Sequence, residues 1–276
     1  MSGIGIISGS GLNEIKGLTV KKSVKITTPF GKPSDKYIIG NIGNTEVIFL
    51  PRHGSQHNLL PHMINCKANI WGFKKLGVER IISVSAVGGI KKGLRPGNIV
   101  VLDQVIDMTK SRESTFYDGK AIILMELVPW TQSLGEVVHI DFTEPYCHEL
   151  RKIILKAGKL SKTPLKNSGT YLAVEGPRLE TASEIRAFGI LGGDVIGMTG
   201  MPEASLAREL EICYSGISVV ANYAAGITKR KLTTKEVIDE MSASTEKIKK
   251  LLKQTFKIIP KQRKCSCKEA LKNAKI

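Results

Sequence analysis

Short, nearly continuous apolar runs alternate with longer stretches of helical periodicity along this 276-residue chain. Such runs are typical of strands buried on both faces, and the periodic stretches are typical of amphipathic helices. The pattern predicts strands at 5–7, 36–39, 46–50, 80–85, 99–105, 169–174, 195–196 and 217–221. It predicts helices at 63–76, 147–157, 202–211 and 233–259. We therefore expect a single α/β domain with a mixed central sheet flanked by helices.

The segment 193–226 combines these elements with polar residues that suit a binding site. Its first apolar run ends before Met198 and Thr199, a helical stretch follows, and its second apolar run ends before Asn222. Strand, loop, helix and strand in this order predict a βαβ unit, and such sheets bind ligands beyond the carboxyl ends of their strands. We therefore expect Met198, Thr199 and Asn222 to lie near a ligand.

Four predicted strand ends place a small hydroxyl residue or an arginine beside glycine. They carry Ser10, Arg52-His53, Ser85-Ala86 and Thr199. One guanidinium with several neutral donors and backbone N–H groups suits an oxyanion such as phosphate. The turn around Ser10 is not a dinucleotide fingerprint, because Glu14 stands where the third glycine is required. The four strand ends together predict an anion cradle.

The net charge of +16 raises the alternative of a nucleic-acid-binding protein. The lysines are scattered without an interleaved stripe of aromatic residues, which favours a basic surface over nucleic-acid binding. From Pro260 onward the chain is a basic tail, so we expect a domain over 1–259 and a tail over 260–276. No stretch resembles a signal peptide or a membrane span, so we expect a cytoplasmic protein without a membrane partner.

Histidines and cysteines raise the question of a metal site. Three histidines lie close together in sequence: His53, His57 and His62. Gly54 and Pro61 break any helix through them, and no Glu follows the first histidine as a zinc-protease motif requires. Cys265 and Cys267 are spaced too tightly for the usual zinc knuckle, and the sequence shows no second pair facing them. We therefore expect no metal.

Several stretches follow one another in an order that is itself informative. They are Gly9-Ser10-Gly11, TPFGKPSD (28–35), PRHG (51–54), KANIW (67–71), SAVGGI (85–90), EGPRLET (175–181), GMTGMPEASLAREL (197–210) and NYAAG (222–226). In these stretches the chain resembles trimeric purine nucleoside phosphorylases of the methylthioadenosine/methylthioinosine phosphorylase branch. The resemblance implies an α/β phosphorylase fold and a homotrimer, or a dimer of such trimers. It also implies phosphorolysis without cofactor or metal, with inorganic phosphate as co-substrate.

The resemblance assigns phosphate contacts to positions of this chain. Ser10, Arg52, His53, Ser85 and Thr199 match the family's phosphate contacts, and Ala86 matches the backbone lining of that site. Two of these positions depart mildly from the family, because Ser10 and Ser85 stand where many relatives have Thr.

The resemblance also assigns contacts to the nucleoside. They are Met198 beneath the ribose, Glu180 and Asn222 at the purine with Tyr223 and Ala224 beside them, and His139 with the Phe116 region on a loop that reaches a neighbouring subunit. Asn222 is the expected catalytic residue, because its amide can donate to the departing purine. The segment 120–138 is longer than the matching family segment, so the resemblance does not specify the wall between subunits.

Positions at both ends of the nucleoside decide the expected substrate. Glu180 can accept the N1–H of a 6-oxopurine, and the Asn222 amide can donate to its O6. Adenine-specific relatives carry an acid in place of the asparagine. At the 5′ end, Thr234 stands where ordinary purine nucleoside phosphorylases hold the hydroxyl with a histidine, and Val237 and Ile238 favour an apolar substituent. We therefore expect phosphorolysis of S-methyl-5′-thioinosine to hypoxanthine and 5-methylthioribose 1-phosphate in purine salvage.

Other readings of the same residues stay open. The enzyme alternatives are an S-methyl-5′-thioadenosine phosphorylase and a broad phosphorylase of inosine and guanosine. A nucleic-acid-binding protein, or a nucleoside-binding protein without turnover, accounts less well for the complete phosphate constellation. For the thiols, the hypothesis is that Cys147 pairs with Cys213 and that Cys265 pairs with Cys267.

Overall fold

The computed structural model describes residues 3–9, 18–118, 136–229 and 233–276. Their central feature is a 10-stranded mixed sheet with the order β2-β3-β4-β1-β5-β9-β8-β7, in which β10 pairs with β5 and β6. The strands are β1 (Gly3–Ser8), β2 (Thr19–Val24), β3 (Tyr37–Ile42), β4 (Thr45–Pro51), β5 (Val78–Gly89), β6 (Ile99–Val101), β7 (Gln104–Asp107), β8 (Thr170–Ala173), β9 (Val195–Gly197) and β10 (Cys213–Tyr223). The helices are α1 (Cys66–Lys75), α2 (His148–Leu160), α3 (Ala182–Ile190), α4 (Gly200–Glu209) and α5 (Thr234–Ile258). The expected α/β class with a mixed sheet is confirmed.

Helices cover both faces of the sheet. α1 and α4 pack on one face around Ile70 and Leu206, whereas α2 and α5 pack on the other around Ile154 and Ile248. All four side chains are fully buried, and burial of each contributes roughly 1.5–3 kcal/mol. Within the described residues, no helix combines the length and apolar character that a membrane crossing requires.

Strand ends converge on the middle of β5, and this convergence positions the site. β1 runs parallel to β5 as far as Val84, and β9 runs antiparallel on the same edge from Gly88. The carboxyl ends of β1 and β9 therefore point toward each other and meet beside residues 85–87. β4 ends next to β1, and β10 borders the opposite edge of β5 with Asn222 beside Gly88.

The expectation of a βαβ unit over 193–226 is wrong in its strand directions. β9 is antiparallel to β5 and β10 is parallel to it, so β9 and β10 run in opposite directions on its two edges. α4 between them begins irregularly, because Met201 and Pro202 have non-helical backbone angles. The loop after β9 and Asn222 still come together, because both strands end beside the same part of β5.

Some element boundaries also differ from the sequence pattern. α1 begins three residues later than expected, where the Asn65 side chain accepts a hydrogen bond of 2.9 Å from the N–H of Ala68. Met63 lies outside the helix and is 62% exposed. The single strand expected at 99–105 is divided into β6 and β7. α5 agrees closely, and the N–H of Glu236 donates to the Thr233 hydroxyl that caps it, at 3.3 Å.

The basic tail 260–276 packs against the body of the domain. The backbone N–H groups of Lys264 and Cys265 donate to the Glu149 carboxylate at 2.9 and 3.0 Å. The Arg263 guanidinium donates to the carbonyl oxygen of Glu211 at 2.5 Å. The tail is therefore docked on the domain by specific hydrogen bonds to one carboxylate and one backbone carbonyl oxygen, in addition to its basic composition.

The expectation that no second cysteine pair faces Cys265 and Cys267 is wrong. The sulfur atoms of Cys147 and Cys213 join them in a cluster whose members lie within 4.8 Å of one another. The fold assembles this cluster from distant parts of the sequence, which spacing alone does not reveal. One contact of 3.2 Å joins the sulfurs of Cys213 and Cys265, a pair that neither hypothesised disulfide contains. None of the cysteines forms a disulfide in the structure.

Candidate active site

A cavity of about 300 Å³ opens where the strand ends converge on β5. Most of the residues expected at the site line it: Arg52, His53, Ser85, Ala86, Glu180, Met198, Thr199, Asn222 and Val237. A larger cleft of about 640 Å³ lies between the tail and the start of β1, and none of these residues lines it. We assign the site to the smaller cavity, because the chemically useful groups meet there.

Three residues expected near the phosphate or the purine are not among the described residues that line the cavity. Ser10 lies outside the described residues. Tyr223 and Ala224 follow Asn222, but neither is among the described residues that line the cavity. Ala224 is buried, and its backbone N–H donates to the carbonyl oxygen of Gly89 at 2.9 Å. Its role in the structure is to pack the end of β10 against β5.

Of the residues expected at the 5′ end and at a neighbouring subunit, some line the cavity and others lie outside its described lining. Val237 lines the cavity, whereas Thr234 and Ile238 are exposed and lie outside its described lining. His139 is exposed, and its backbone N–H donates to the carbonyl oxygen of Ala274 at 2.8 Å. Phe116 is fully buried within its own chain, with its ring centroid 5.0 Å from that of Phe30. The Phe116 side chain therefore stabilises the core and does not project outward.

Arg52 is fully buried and paired with a carboxylate that the sequence analysis did not identify. Its Nε and Nη2 donate to the two carboxylate oxygens of Glu203 at 2.5 and 3.0 Å. Nη2 also donates to the hydroxyl of Ser83 at 2.7 Å, and Nη1 donates to the carbonyl oxygen of Val84 at 3.2 Å. The Tyr214 hydroxyl donates to the same carboxylate at 2.8 Å. The guanidinium is thus oriented and its charge is compensated inside the protein.

The geometry leaves Nη1 as the contact point between Arg52 and an anion. Among the described residues, Nη1 has one acceptor, so its second N–H is available for a ligand. A Cβ added at Gly9 would lie 3.3 Å from Nη1, which shows that this nitrogen faces Gly9 just after β1. Glycine at this position therefore leaves room beside the guanidinium.

His53 is neutral in the folded protein. Burial lowers the pKa of His53 to about 4. Its Nδ1 lies 2.8 Å from the carbonyl oxygen of Leu59, which can only accept, so Nδ1 carries the proton. Nε2 is then an acceptor, and it lies 3.4 Å from the position of a Cβ at Gly9. This nitrogen can accept a hydrogen bond from a protonated phosphate oxygen.

Two hydroxyl groups complete the anion-binding side of the cavity. The Ser85 hydroxyl lies 3.2 Å from that of buried Ser218, which fixes its orientation. Thr199 precedes α4, where the backbone N–H groups of Thr199 and Gly200 donate to the Tyr171 hydroxyl at 3.1 and 3.2 Å. Tyr171 thus satisfies the start of α4, and the Thr199 side chain makes no capping bond to the helix. The Thr199 hydroxyl is the group that this helix end offers to a ligand.

Glu180 and Asn222 provide complementary hydrogen-bonding groups on the same cavity. Burial raises the pKa of the Glu180 carboxyl above its ordinary value. The Asn222 amide nitrogen donates to the carbonyl oxygen of Tyr223 at 2.7 Å, which leaves one N–H and the amide oxygen for a ligand. The loop after Glu180 is held by Thr181, which forms a capping box with Glu184 at the start of α3.

Arg112 joins the loops that carry Glu175 and Met198. Its Nη1 donates to the carbonyl oxygens of Met198 and Met201 at 2.6 and 2.7 Å. Its Nη2 donates to those of Val174 and Glu175 at 3.3 and 2.8 Å, and Nε donates to the Glu175 carboxylate at 3.2 Å. All five N–H donors are used, so Arg112 fixes the backbone on which Met198 sits.

Glu203, Arg112 and Tyr171 were not predicted from the sequence, because each gives only a weak local signal. Glu203 is an acid on a helical face that becomes fully buried, within the stretch GMPEASLAREL. Arg112 lies in a polar loop without regular periodicity. Tyr171 reads as one more apolar position of a strand. Their partners are remote in sequence, so no local pattern indicates these bonds.

Comparisons with known proteins agree over nearly the whole chain. A family model described as the phosphorylase superfamily matches residues 3–257. The chain is 49% identical over 98% of its length to the probable S-methyl-5′-thioinosine phosphorylase of Thermodesulfovibrio yellowstonii, covering 96% of that protein. It is 48% identical over 99% of its length to the 6-oxopurine nucleoside phosphorylase of Pyrococcus furiosus, covering 99% of that protein. Every described residue of the cavity therefore lies within the shared region.

A solved structure matches at the level of the fold. The methylthioadenosine phosphorylase of Schistosoma mansoni in complex with adenine superposes with a TM-score of 0.90 at 29% identity. The match covers 99% of this chain and 96% of that chain. The two folds therefore agree over nearly the whole of both chains.

Proposed function

The chain belongs to the phosphorylase superfamily and is a nucleoside phosphorylase, a pentosyltransferase, and we propose that its preferred substrate is S-methyl-5′-thioinosine. The products are hypoxanthine and 5-methylthioribose 1-phosphate. The observation that carries this proposal is that Glu180, Asn222 and Val237 line one cavity together with the anion-binding groups. The names of the two 6-oxopurine-type relatives support the same choice.

Charge development in the reaction explains what the anion-binding side must supply. Cleavage of the N-glycosidic bond leaves positive charge on the ribosyl carbon and negative charge on the purine. Phosphate neutralises the first, and it remains nucleophilic if its own charge is not fully compensated. The cavity meets this requirement, because Arg52 is already paired with Glu203 and His53 is neutral. Hydroxyl groups of Ser85 and Thr199 add neutral donors.

The departing purine needs a donor that is in position before the bond breaks. The free N–H of Asn222 can donate to the base while its negative charge develops. Removal of one such preorganised donor lowers turnover by about 10²–10³ in acyl-transfer enzymes. Asn222 is therefore assigned the catalytic role, with Glu180 fixing the orientation of the base.

The hydrogen-bonding pattern favours a 6-oxopurine when Glu180 is ionised. The carboxylate accepts the N1–H of hypoxanthine, and the Asn222 amide donates to O6. A 6-amino base has no N1–H and presents donors where O6 was, so buried polar groups are left mismatched. Such mismatches reduce specificity constants by several powers of ten in other enzymes.

The apolar side chain of Val237 favours a methylthio group at the 5′ position. Val237 is the α5 residue that lines the cavity, where a 5′-hydroxyl would need a hydrogen-bond partner. Thr234 and Ile238 do not reinforce this preference in the structure, because both are exposed. Discrimination between methylthio and hydroxyl nucleosides therefore depends on one side chain and is expected to be modest.

A specific observation also favours a second substrate, S-methyl-5′-thioadenosine. The raised pKa of Glu180 increases the fraction of its protonated form. A protonated carboxyl can donate to the unprotonated N1 of a 6-aminopurine. The protonation state of Glu180 therefore selects between the two bases, and the 6-oxo base is preferred when the carboxyl is ionised.

The substitution Asn222→Asp tests the proposed recognition of the base. A protonated aspartyl group can donate to N7, and its carbonyl oxygen can accept from the 6-amino group. We expect the ratio of kcat/KM for methylthioinosine to that for methylthioadenosine to fall by about tenfold or more. Steady-state kinetics with both nucleosides at saturating phosphate measure this ratio.

Asn58→Asp is the matched control for the added carboxyl group. Asn58 also lines the cavity but is not assigned to the base. This control is expected to change both specificity constants together and to leave their ratio unchanged. An unchanged ratio in Asn222→Asp, or an equal change in the control, contradicts the assignment of Asn222.

A further inference from the structure

A cluster of four cysteine sulfurs lies outside the cavity and serves no step of phosphorolysis. Its members are Cys147, Cys213, Cys265 and Cys267, whose sulfur atoms lie within 4.8 Å of one another. Cys147, Cys213 and Cys267 are buried, and Cys265 is half-buried. Among the described residues, the cavity lining and this cluster share no member.

Three separate elements build the cluster. Cys147 caps α2, and its sulfur accepts a hydrogen bond from the N–H of Leu150 at 3.5 Å. Cys213 is the first residue of β10. Cys265 and Cys267 flank the start of a short 3-10 helix over Ser266–Glu269 in the tail. The two bonds from the tail backbone to Glu149 hold this helix against α2.

We propose that these four cysteines bind one Zn²⁺ ion and thereby anchor the C-terminal tail to the domain. Each thiol loses its proton to solvent as its sulfur binds the metal, so four S–H bonds are exchanged for four Zn–S bonds. No electron is transferred. Because four protein sulfurs complete the tetrahedral coordination of zinc, the site is structural and has no open position for a substrate.

The mutual proximity of all four sulfurs distinguishes this site from two disulfides. Zinc–sulfur distances of about 2.3 Å place the sulfurs of a tetrahedral site about 3.8 Å apart. A single zinc ion must then bind all four sulfurs at once. The sulfurs of the cluster lie close enough together for this after small shifts of their side chains. Two disulfides require only that sulfurs be close in pairs, and their formation requires an oxidant.

The charges around the cluster match a zinc tetrathiolate, which carries two negative charges. The Arg263 guanidinium lies 3.9 Å from the sulfur of Cys213. A cleft of about 420 Å³ reaches Cys147, Cys265 and Cys267, and its lining includes Lys152, Arg208 and Lys264. Glu144 and Glu149 also line this cleft, and Glu149 is occupied by the tail backbone. The cleft provides a path by which the ion enters.

Metal analysis of the full-length protein tests the proposal. The protein is produced with zinc in the medium and purified with a reductant and without chelator. We expect one zinc per chain by elemental analysis, and near-complete loss of zinc in Cys265→Ser/Cys267→Ser. Cys66→Ala is the matched control, because Cys66 is the remaining buried cysteine outside the cluster and this variant is expected to keep its zinc.

A cobalt titration keeps the test decisive if the double variant fails to fold. The reduced wild-type protein is stripped of metal and titrated with Co²⁺, which reports tetrahedral thiolate ligation by its absorption bands. Saturation at one Co²⁺ per chain, reversed by Zn²⁺, supports the site. One free thiol and no zinc in the denatured, unreduced protein indicates two disulfides and overturns the proposal. Five thiols with no binding of Zn²⁺ or Co²⁺ to the reduced protein also overturns it.

Discussion

Arg52 shows at the scale of one residue how a buried cation can serve an anion site. Its guanidinium is fully buried and is bound in bidentate fashion by Glu203. An unpaired charge at this depth is strongly unfavourable, whereas a paired and hydrogen-bonded one is tolerated. Glu203 therefore allows Arg52 to present Nη1 without requiring that phosphate be present for folding.

Replacement of Arg52 alone is expected to destabilise the protein strongly. Arg52→Met leaves the Glu203 carboxylate buried without its cation, which lowers the free energy of unfolding by about 3–5 kcal/mol. Arg52→Met/Glu203→Met removes both charges and is expected to recover a large part of this loss. Urea denaturation of the wild type and the variants measures the effect. A double variant that is less stable than Arg52→Met would show that the unpaired Glu203 carboxylate is not the reason for the loss of stability.

Glu180 gives the substrate preference a pH dependence with a defined sign. Its pKa is raised above the ordinary value by burial, so its carboxyl becomes protonated at a higher pH than a solvent-exposed glutamate. In the proposed recognition of the base, the 6-oxo base requires the ionised form. The ratio of kcat/KM for methylthioinosine to that for methylthioadenosine is therefore expected to rise as pH increases through the pKa of Glu180.

Glu180→Gln is the control for this pH dependence, because the amide does not titrate. The ratio in this variant is expected to be flat over the range in which the wild-type ratio rises. His53 does not obscure the comparison near neutral pH, since its pKa of about 4 keeps it neutral there. A wild-type ratio that is independent of pH, or the same slope in both proteins, contradicts the assigned role.

At the scale of elements, the site depends on strands that approach β5 from opposite directions. The sequence pattern located the strand ends next to Arg52 and Thr199, because glycine and polar residues interrupt apolar runs there. It was wrong to end the next strand at Ser85, because β5 continues to Gly89 and Ser85 lies in its middle. It did not reveal that β9 is antiparallel to β5. Strand direction and register depend on pairing between segments more than 100 residues apart, and a βαβ pattern of elements does not specify them.

Arg112 connects these elements, and we infer that it positions the side of the cavity proposed for the ribose. Arg112→Lys keeps the charge but cannot reproduce five N–H donors in a planar arrangement. We expect kcat/KM for the nucleoside to fall by about tenfold or more, because a loosened Met198 loop misplaces the ribose. The KM for phosphate is expected to change less. Steady-state kinetics with each substrate varied in turn measure both effects.

Arg151→Lys is the matched control for this substitution. Its guanidinium also donates to backbone carbonyl oxygens, those of Leu102 and Asn167, at 2.6 and 2.8 Å. It lies on α2, away from the described lining of the cavity. This variant is expected to keep its nucleoside kinetics. Equal losses in the two variants would indicate general destabilisation rather than positioning by Arg112.

At the scale of the whole molecule, the positive charge and the anion site are separate features. The net charge is +16, yet the cavity contains an Arg52–Glu203 ion pair and a neutral His53. We infer that the surplus charge attracts phosphate at long range, whereas the proposed hydrogen bonds hold it in the cavity. In the tail, Arg263 and the backbone beside it bind specific oxygen atoms of Glu211 and Glu149.

The sequence was more informative about the catalytic cavity than about the groups that support it. Residues proposed to contact a ligand lie at or near strand ends with recognisable neighbours, as Asn222 does before Tyr223 and Ala224. Supporting residues such as Glu203 acquire their role only when remote segments meet. The same reason explains the cysteine cluster, because Cys147 and Cys213 have no local pattern that links them to the tail.

Specificity constants of the wild-type protein test the proposed substrate most directly. Release of free base is measured with methylthioinosine, inosine, guanosine and methylthioadenosine, each with and without inorganic phosphate, near neutral pH. We predict strict dependence on phosphate, the highest kcat/KM for methylthioinosine, lower values for inosine and guanosine, and the lowest for methylthioadenosine. A highest value for methylthioadenosine would contradict the roles assigned to Glu180 and Asn222, and release without phosphate would contradict the assignment of the anion-binding groups.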